Sequence, residues 1–172
     1  MSTRARLAVA AAIALVSAIG IGVVIAHWIG GPDNARAPVG LGLHETPADT
    51  PFRDYREVKV AFADRCVRVA VADTPERRER GLRSVIDLGP YAGMLFSQAR
   101  DTNTAFTMAG VTVPLDITWY GSDGSRVDAT QMPPCPQGGA ASCPVYRSRR
   151  PYRVALETPD GSAPPERLAP CP

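Results

Sequence analysis

The sequence predicts a mainly β domain, barrel-like or sandwich-like, with one short helix and a single N-terminal transmembrane helix before it. Three observations predict this architecture. After residue 56, apolar and polar residues alternate with the period of two that is typical of β-strands. The segment from Asp73 to Gly81 carries the residues that begin and end a helix. Near the N-terminus, Leu7–Ile29 is a run of 23 residues without a formal charge.

The run Leu7–Ile29 has the length of a membrane span. At about 1.5 Å of rise per residue, 23 helical residues extend roughly 34 Å, more than the ~30 Å hydrocarbon core of a bilayer. A cleaved signal peptide has a shorter apolar region and a small-residue cleavage site. The nearest match to such a site is Ala35-Arg36-Ala37, but Pro38 follows it directly, and proline is a poor residue after a scissile bond. Trp28 suits the membrane–water interface. We therefore expect an uncleaved anchor, with a cleaved signal or a buried soluble helix as alternatives.

The distribution of charge predicts the orientation and limits the partners. Arg4 and Arg6 precede the anchor, so the positive-inside rule makes residues 1–6 a cytoplasmic tail and places the rest of the chain outside. The exported part has 17 basic and 17 acidic residues, a neutral balance that argues against a nucleic-acid partner. The membrane is thus the predicted partner, and an envelope protein or glycan partner stays open. One local basic cluster is interpreted as a solvated loop: Arg147, Arg149 and Arg150.

Composition divides the exported part into a linker and one domain. Residues 30–56 mix glycine and proline without a regular period, which predicts a flexible linker that reaches roughly 30 Å. Residues 57–172 have the size of one small domain. Because His27 lies in the anchor and His44 in the linker, the domain is expected to lack histidine, the commonest general base and metal ligand. We expect neither a metal nor a cofactor.

The first half of the domain is predicted to form a β-hairpin followed by a helix. Valines alternate with smaller or charged residues on both sides of a turn, so residues 57–72 are expected to pair as two antiparallel strands. Either Asp73 or Thr74 can cap the next helix, because their side chains accept from free N–H groups. Pro75 suits an early helical position, and Gly81 is the expected end. The arginines between them are expected to be mostly solvated.

The second half is predicted to be a series of strands. Residues 93–96 are predicted to form a short buried strand. In residues 111–120, apolar and polar residues alternate clearly, which predicts another strand. Pro114 lacks an N–H, so the second of these strands lies at an edge or begins at that residue. The turn at residues 121–124 predicts a hairpin into residues 126–132. In the last strand, Tyr152, Val154 and Leu156 are expected to face the core, with Glu157 facing outward.

Four cysteines follow the anchor, in a compartment where thiols tend to pair. Three pairings are open to four cysteines. We favour Cys135–Cys143, because both lie in one loop beside prolines, with two glycines between them that permit a tight return. Cys66–Cys171 then follows by elimination. Structural disulfides are favoured over a zinc site or a catalytic redox pair, because no metal-ligand spacing and no C-x-x-C motif is present.

A series of short motifs in a fixed order resembles the domain of unknown function 192 family of bacteria and archaea. The motifs run through about residues 57–160: Val71–Arg77, Arg80-Gly81-Leu82, Gly93–Phe96, Pro114–Ile117, Asp123-Gly124, Met132 to Cys135, Cys143 to Tyr146 and Leu156-Glu157. The resemblance implies a mainly β, barrel-like domain. It implies no activity, because the biochemical function of the family is unassigned.

This chain departs from the family pattern where a site is most expected. The family usually has Phe-Trp-Met-Lys-Asn-Thr where this sequence has Phe106-Thr107-Met108-Ala109-Gly110-Val111, so the cationic and amide groups are missing. A ligand-binding capacity of those groups is therefore lost here or moved elsewhere. Asp116 and Glu157 remain as candidate binding residues that the family pattern also carries. They suit either acid–base work on a glycan or, as we favour, a structural ion pair or a hydrogen bond to a turn.

The sequence therefore favours a membrane-anchored extracytoplasmic domain that binds or scaffolds in the cell envelope without catalysis. No residue is assigned a catalytic role, because no set of nucleophile, base and orienting group is visible. Two alternatives stay open: an envelope hydrolase that uses Asp116 and Glu157, and a thiol-redox accessory protein that uses Cys135 and Cys143.

Overall fold

The computed structural model describes residues 39–62, 65–135 and 140–172 of the 172-residue chain. The predicted cytoplasmic tail at residues 1–6 and the predicted anchor at residues 7–29 lie outside these ranges. Within the described ranges, no helix has both the length and the apolar character needed to cross a bilayer.

The described residues form a mainly β domain around one seven-stranded sheet. Its strand order is β1-β2-β3-β4-β9-β6-β7, and β5 and β8 form a separate two-stranded sheet. The β3–β4 pair is parallel, and the other pairs are antiparallel. The strands are β1 (Thr46–Pro47), β2 (Arg56–Phe62), β3 (Arg65–Ala72), β4 (Tyr91–Thr102), β5 (Phe106–Thr107), β6 (Leu115–Tyr120), β7 (Arg126–Met132), β8 (Val145–Tyr146) and β9 (Tyr152–Pro159).

The predicted fold class is confirmed in part. The domain is mainly β, and the described residues contain one short α-helix, α1 (Pro75–Arg80), and a 3-10 turn at Ala140–Ser142. The large sheet is not a closed barrel, because it ends in β1 on one side and β7 on the other.

The predicted hairpin and helix are both present. β2 and β3 pair antiparallel with Val58 opposite Val69 and Val60 opposite Val67. Thr74, rather than Asp73, caps α1, since its hydroxyl accepts a 3.3 Å hydrogen bond from the Arg77 N–H. Gly81 ends the helix with a φ of 50°, a conformation that glycine adopts without strain.

Both faces of the large sheet are buried, and each has its own core. The first core includes Ala70, Ala72, Phe96, Ile117, Trp119 and Ala155. The second core includes Val60, Val69, Val71, Leu95, Val154 and Leu156. Residues adjacent in one strand thus belong to opposite cores, as expected for strands covered on both sides. The first core is completed from outside the sheet by Phe52, Leu82, Met108 and Val111, and the second by Val39, Leu43 and Leu168.

The predicted linker is too long, because its second half belongs to the domain. Val39, Leu43, Phe52 and Tyr55 are all buried, and residues 46–47 form β1 against β2. His44 therefore lies in the folded domain, contrary to expectation, although its side chain is exposed. The sequence predicted a longer linker because the apolar residues of this segment are scattered among glycines and prolines without a regular period.

Two predicted strands have different bounds from those expected. The strand expected at residues 93–96 extends over Tyr91–Thr102. The strand expected at residues 111–120 begins at Leu115, directly after Pro114, because proline cannot donate to the ladder. This strand, β6, lies between β9 and β7 rather than at an edge, so the reading in which it begins at Pro114 is the correct one.

Both expected disulfides are present, Cys66–Cys171 and Cys135–Cys143. The first joins the β2–β3 hairpin to the C-terminal segment, where Ala61 also donates its N–H to the Ala169 carbonyl at 3.0 Å. This segment carries Leu168 into the second core. The bridge therefore holds part of the cover of that core in place.

Removal of Cys66–Cys171 is expected to destabilise the domain more than removal of Cys135–Cys143. The bridged residues are 105 and 8 positions apart, respectively. The chain-entropy treatment gives losses of about 4–5 kcal/mol for the first and about 2–3 kcal/mol for the second. Urea denaturation of Cys66→Ala/Cys171→Ala and of Cys135→Ala/Cys143→Ala measures both losses. A larger loss for the second double variant would contradict the expectation.

Candidate functional site

Asp116 and Glu157 lie on neighbouring strands but on opposite faces of the sheet. In the β6–β9 register, Ile117 is opposite Glu157 and Asp116 is opposite Thr158. Directly opposed residues point to the same face, and Ile117 belongs to the first core. The Glu157 side chain therefore points to the first face and the Asp116 side chain to the other. The structure does not bring the two candidate carboxylates together.

Asp116 binds a turn. Its carboxylate accepts a 2.8 Å hydrogen bond from the N–H of Gly161, just beyond the end of β9. This is the structural role that the sequence favoured for it.

Glu157 is buried, contrary to the outward orientation expected from the sequence. Its exposed fraction is 5%, because residues outside the sheet cover the first face as well as the second. Gly93 on β4 contributes to this close packing. A Cβ atom at Gly93 would overlap the carbonyl oxygen of Glu157, so glycine permits the approach of β4 to β9 at this point.

No hydrogen bond or ion pair joins the Glu157 carboxyl to another described residue. Burial alone raises the pKa of this carboxyl to about 8, because an interior without a compensating cation disfavours the charged form. At neutral pH the group is therefore mostly protonated, with an O–H to donate and a carbonyl oxygen to accept. A buried carboxyl without a partner is typical of a functional site rather than of a structural ion pair.

Glu157 borders a cavity of about 400 Å³ that lies between α1, β4 and the segment that contains β5. This volume is within the range of small-molecule sites. The apolar part of the wall consists of Leu82, Phe96, Ala105, Phe106 and Val111. Uncharged polar groups come from Gln98, Thr104 and Thr107.

Aromatic packing fixes one wall of the cavity. Phe106 contacts Phe96 edge-to-face with ring centroids 5.1 Å apart, and it also contacts Trp119 and Tyr152 at 6.3 and 6.2 Å. Such clusters add to the stability gained from burial. The Tyr152 hydroxyl donates to the Thr104 carbonyl at 2.9 Å, which ties the segment before β5 to β9. The wall is thus pre-formed.

Arginines form the opposite side of the cavity. Arg78 is half-buried and donates to the Ser97 carbonyl at 3.0 Å, and burial lowers the pKa of its guanidinium. Arg80 pairs with Asp54 at 2.6 Å. Arg83 is exposed, and its methylene groups lie beside Gly110. Arg78 and Arg83 form no ion pair with a carboxylate among the described residues.

Sequence reasoning missed these arginines. It assigned Arg78 and its neighbours to a solvated helix face, and it assigned nothing to Arg83. One signal was available, because both residues are close to Gly81, where the chain leaves the helix and turns back over the sheet.

The stretch that departs from the family pattern is part of the cavity wall. Phe106, Thr107 and Val111 border the cavity, and Arg83 lies across Gly110, whose φ is +78°. The Lys and Asn of the pattern correspond to Ala109 and Gly110. The cationic groups at this cavity come from the helix and the loop after it.

Other charged clusters of the domain are saturated with partners. The Arg68 guanidinium binds Glu57 and Asp49 and lies over the ring of Tyr91, whose hydroxyl donates to Glu57 at 2.7 Å. Asp128 accepts from the backbone and the guanidinium of Arg149. Among the described residues, no three side chains of the metal-ligating types come together as a metal site.

A second cavity of about 500 Å³ adjoins the first. The two share Leu82 and Val111. Its wall is mostly apolar, and Ile86 at its border is 88% exposed. Nothing in it corresponds to the unpaired carboxyl of Glu157.

Comparison with known proteins identifies the family. Residues 58–170 match the family designated domain of unknown function 192 and described as "Uncharacterized ACR". The chain belongs to this family. Among curated proteins, none matches the chain significantly.

Two solved structures are similar to the domain. One is a protein of unknown function from Novosphingobium aromaticivorans DSM 12444, with 22% identity and a TM-score of 0.57 over 72% of this chain and 91% of that one. The other is from Sinorhizobium meliloti 1021 and is provisionally described as a transcription regulator, with 26% identity and a TM-score of 0.53 over 65% of this chain and 90% of that one. These similarities support the fold and assign no activity.

Stability is expected to fall as the pH rises from about 4.5 to about 8. The pKa of the Glu157 carboxyl is about 8 in the folded domain and near 4.5 in the unfolded chain, so the unfolded chain binds fewer protons in this window. The Glu157→Gln variant should lack this loss of up to a few kcal/mol. Urea denaturation across the window measures the difference.

Asp128→Asn is the matched control for Glu157→Gln. Arg149 holds the pKa of the Asp128 carboxyl at about 2, so its contribution to stability is lost only in acid, as the pH falls from near 3.8 through 2. Asp128→Asn should therefore keep the slope between pH 4.5 and 8. An equal slope in Glu157→Gln and the unchanged protein would show that Glu157 is not the group responsible.

Proposed function

We propose that this protein is a membrane-anchored extracytoplasmic domain that binds a small molecule in the cavity beside Glu157, without transforming it. The observation that carries the proposal is the carboxyl of Glu157, a residue only 5% exposed, which has no partner among the described residues and borders a pre-formed cavity of about 400 Å³. Leaving such a group without a partner costs stability, and a ligand that pairs with it recovers that cost.

The geometry favours binding over hydrolysis. Hydrolysis by two carboxylates requires both groups to flank one scissile bond, within about 5–9.5 Å of each other. Asp116 and Glu157 point to opposite faces of the sheet, and Asp116 already accepts from a turn N–H. The other acid on the cavity wall, Glu79, is exposed on α1.

A thiol-redox role has less support than binding. Cys135 and Cys143 are joined by a disulfide, and no described residue between them borders the cavity. A helix N-terminus next to a cysteine can lower the pKa of its thiol. The described α-helix, α1, lies far from both cysteines in the sequence.

The anchored, exported location rests on the sequence and on the disulfides. All four cysteines are paired, which suits an oxidising compartment. The apolar run at residues 7–29, with Arg4 and Arg6 before it, supplies the anchor and its orientation.

A substitution that fills the cavity tests the binding function. In a thermal-shift screen of a metabolite library, at least one compound should raise the Tm of the full chain in detergent, since a ligand at a hundredfold its Kd stabilises by about 2.7 kcal/mol. Ala105→Trp, which places an indole in the cavity, should abolish that shift. Ala129→Trp, on the exposed side of the edge strand β7, should keep it. No stabilising compound, or an equal shift in Ala105→Trp, would contradict the proposal.

Topology reporters test the location. Alkaline phosphatase fused after Pro172 should be active, because it folds only outside the cytoplasm, and β-galactosidase at the same position should be inactive. Deletion of residues 1–29 should reverse both results. Activity of the β-galactosidase fusion to the full chain would overturn the proposed orientation.

A further inference from the structure

We infer that the ligand of the Glu157 cavity is a small organic anion: its carboxylate or phosphate meets Arg78 and Arg83, and an uncharged hydroxyl or amide at its other end hydrogen-bonds Glu157. This inference rests on the proposed binding function and adds the chemical class of the ligand.

The anionic end is indicated by two arginines without carboxylate partners. The Arg78 guanidinium donates one N–H to the Ser97 carbonyl, and the Arg83 guanidinium has no hydrogen bond or ion pair among the described residues. Arg80, by contrast, is neutralised by Asp54 at 2.6 Å. Arg77, next in the helix, is neutralised by Asp73 at 2.6 Å. Arginines with unused donors at a cavity are typical of carboxylate or phosphate recognition.

The uncharged polar end is indicated by the surroundings of Glu157. A protonated carboxyl both donates and accepts, which matches a hydroxyl or an amide. The wall beside it contains the Gln98 amide and the Thr107 hydroxyl, and no charged group comes from β4 or from residues 104–111. The exposure of Arg83 and the burial of Glu157 place the cationic group at the outer side of the cavity and the carboxyl at the inner side.

The charge balance of the wall disfavours a cationic ligand. The ionisable side chains that border the cavity are Arg78, Glu79, Arg80, Arg83 and Glu157. With Glu157 protonated, the others sum to a positive charge that repels an amine and attracts an anion. The volume, about 400 Å³, equals that of roughly a dozen water molecules, which suits a ligand of sugar-acid or sugar-phosphate size.

Four probes that share one sugar ring separate the possible ligand classes. Glucuronate carries a carboxylate, glucose 6-phosphate a phosphate, glucose no charge and glucosamine a cation. Titration calorimetry with the full chain in detergent should show millimolar binding of glucuronate, glucose 6-phosphate or both. Glucose should bind about tenfold more weakly, since it lacks the charge-assisted hydrogen bonds. Tighter binding of glucuronate would indicate a carboxylate ligand, and tighter binding of glucose 6-phosphate would indicate a phosphate ligand.

Variants assign the two ends of the ligand. Arg78→Gln and Arg83→Gln should each weaken the anion about tenfold and leave glucose unchanged. Lys59→Gln removes the same charge from the exposed side of β2 and should change neither. Between about pH 6 and pH 9 the unchanged protein should lose about tenfold in affinity for glucuronate, whose carboxylate stays ionised over this range, because an ionised Glu157 repels it. Glu157→Gln should bind glucuronate at both pH values with equal affinity.

Three results overturn the inference. The first is tighter binding of glucosamine than of either anion, with loss of that binding in Glu157→Gln. The second is equal binding of glucose and the anions, and the third is no binding of either anion. In each case, a stabilising compound that Ala105→Trp excludes still establishes the cavity as a binding site, so the failure of the ligand class is distinguishable from the failure of the proposed function.

Discussion

The burial of both faces of the large sheet is the constraint on which the rest of the domain depends. When only one face is covered, alternate side chains of a strand point into water, and a glutamate among them is unremarkable. Here β9 is covered on both sides and flanked by β4 and β6, so each of its central side chains enters one core or the other. Glu157 is therefore held in the interior by its place in the β-ladder, where its side chain borders the cavity.

Local elements were predictable because neighbouring residues determine them. Alternating valines specify the β2–β3 hairpin, and Thr74, Pro75 and Gly81 specify the ends of α1. Sheet order was not predictable in this way. The parallel β3–β4 pair and the placement of β9 between β4 and β6 depend on contacts between distant segments, which leave no periodic pattern in the sequence. For the same reason, irregular chain that packs through isolated side chains such as Val39 and Phe52 resembled a linker.

The site was only partly predictable. Glu157 was recognised as a candidate, but its outward orientation was wrong, because alternation along one strand identifies two faces without showing whether both are covered. The sequence contained one weak hint that this face is covered: a small residue, Ala155, lies two positions before Glu157 on the same face of β9, and the structure shows it fully buried. The contribution of Arg83 depends on a tertiary contact with the backbone at Gly110, and a charged residue after a helix has no sequence feature that separates it from a solvated one.

The position of β9 in the sheet also has a consequence for how the chain reaches its native state. β9 is the last strand in the sequence, yet it joins the β1–β4 half of the sheet to the β6–β7 half. Before it is synthesised, the two halves share no ladder, and the carboxyl that borders the cavity does not yet exist. Such late, long-range closure slows folding. The core of the domain therefore cannot close before β9 has been made.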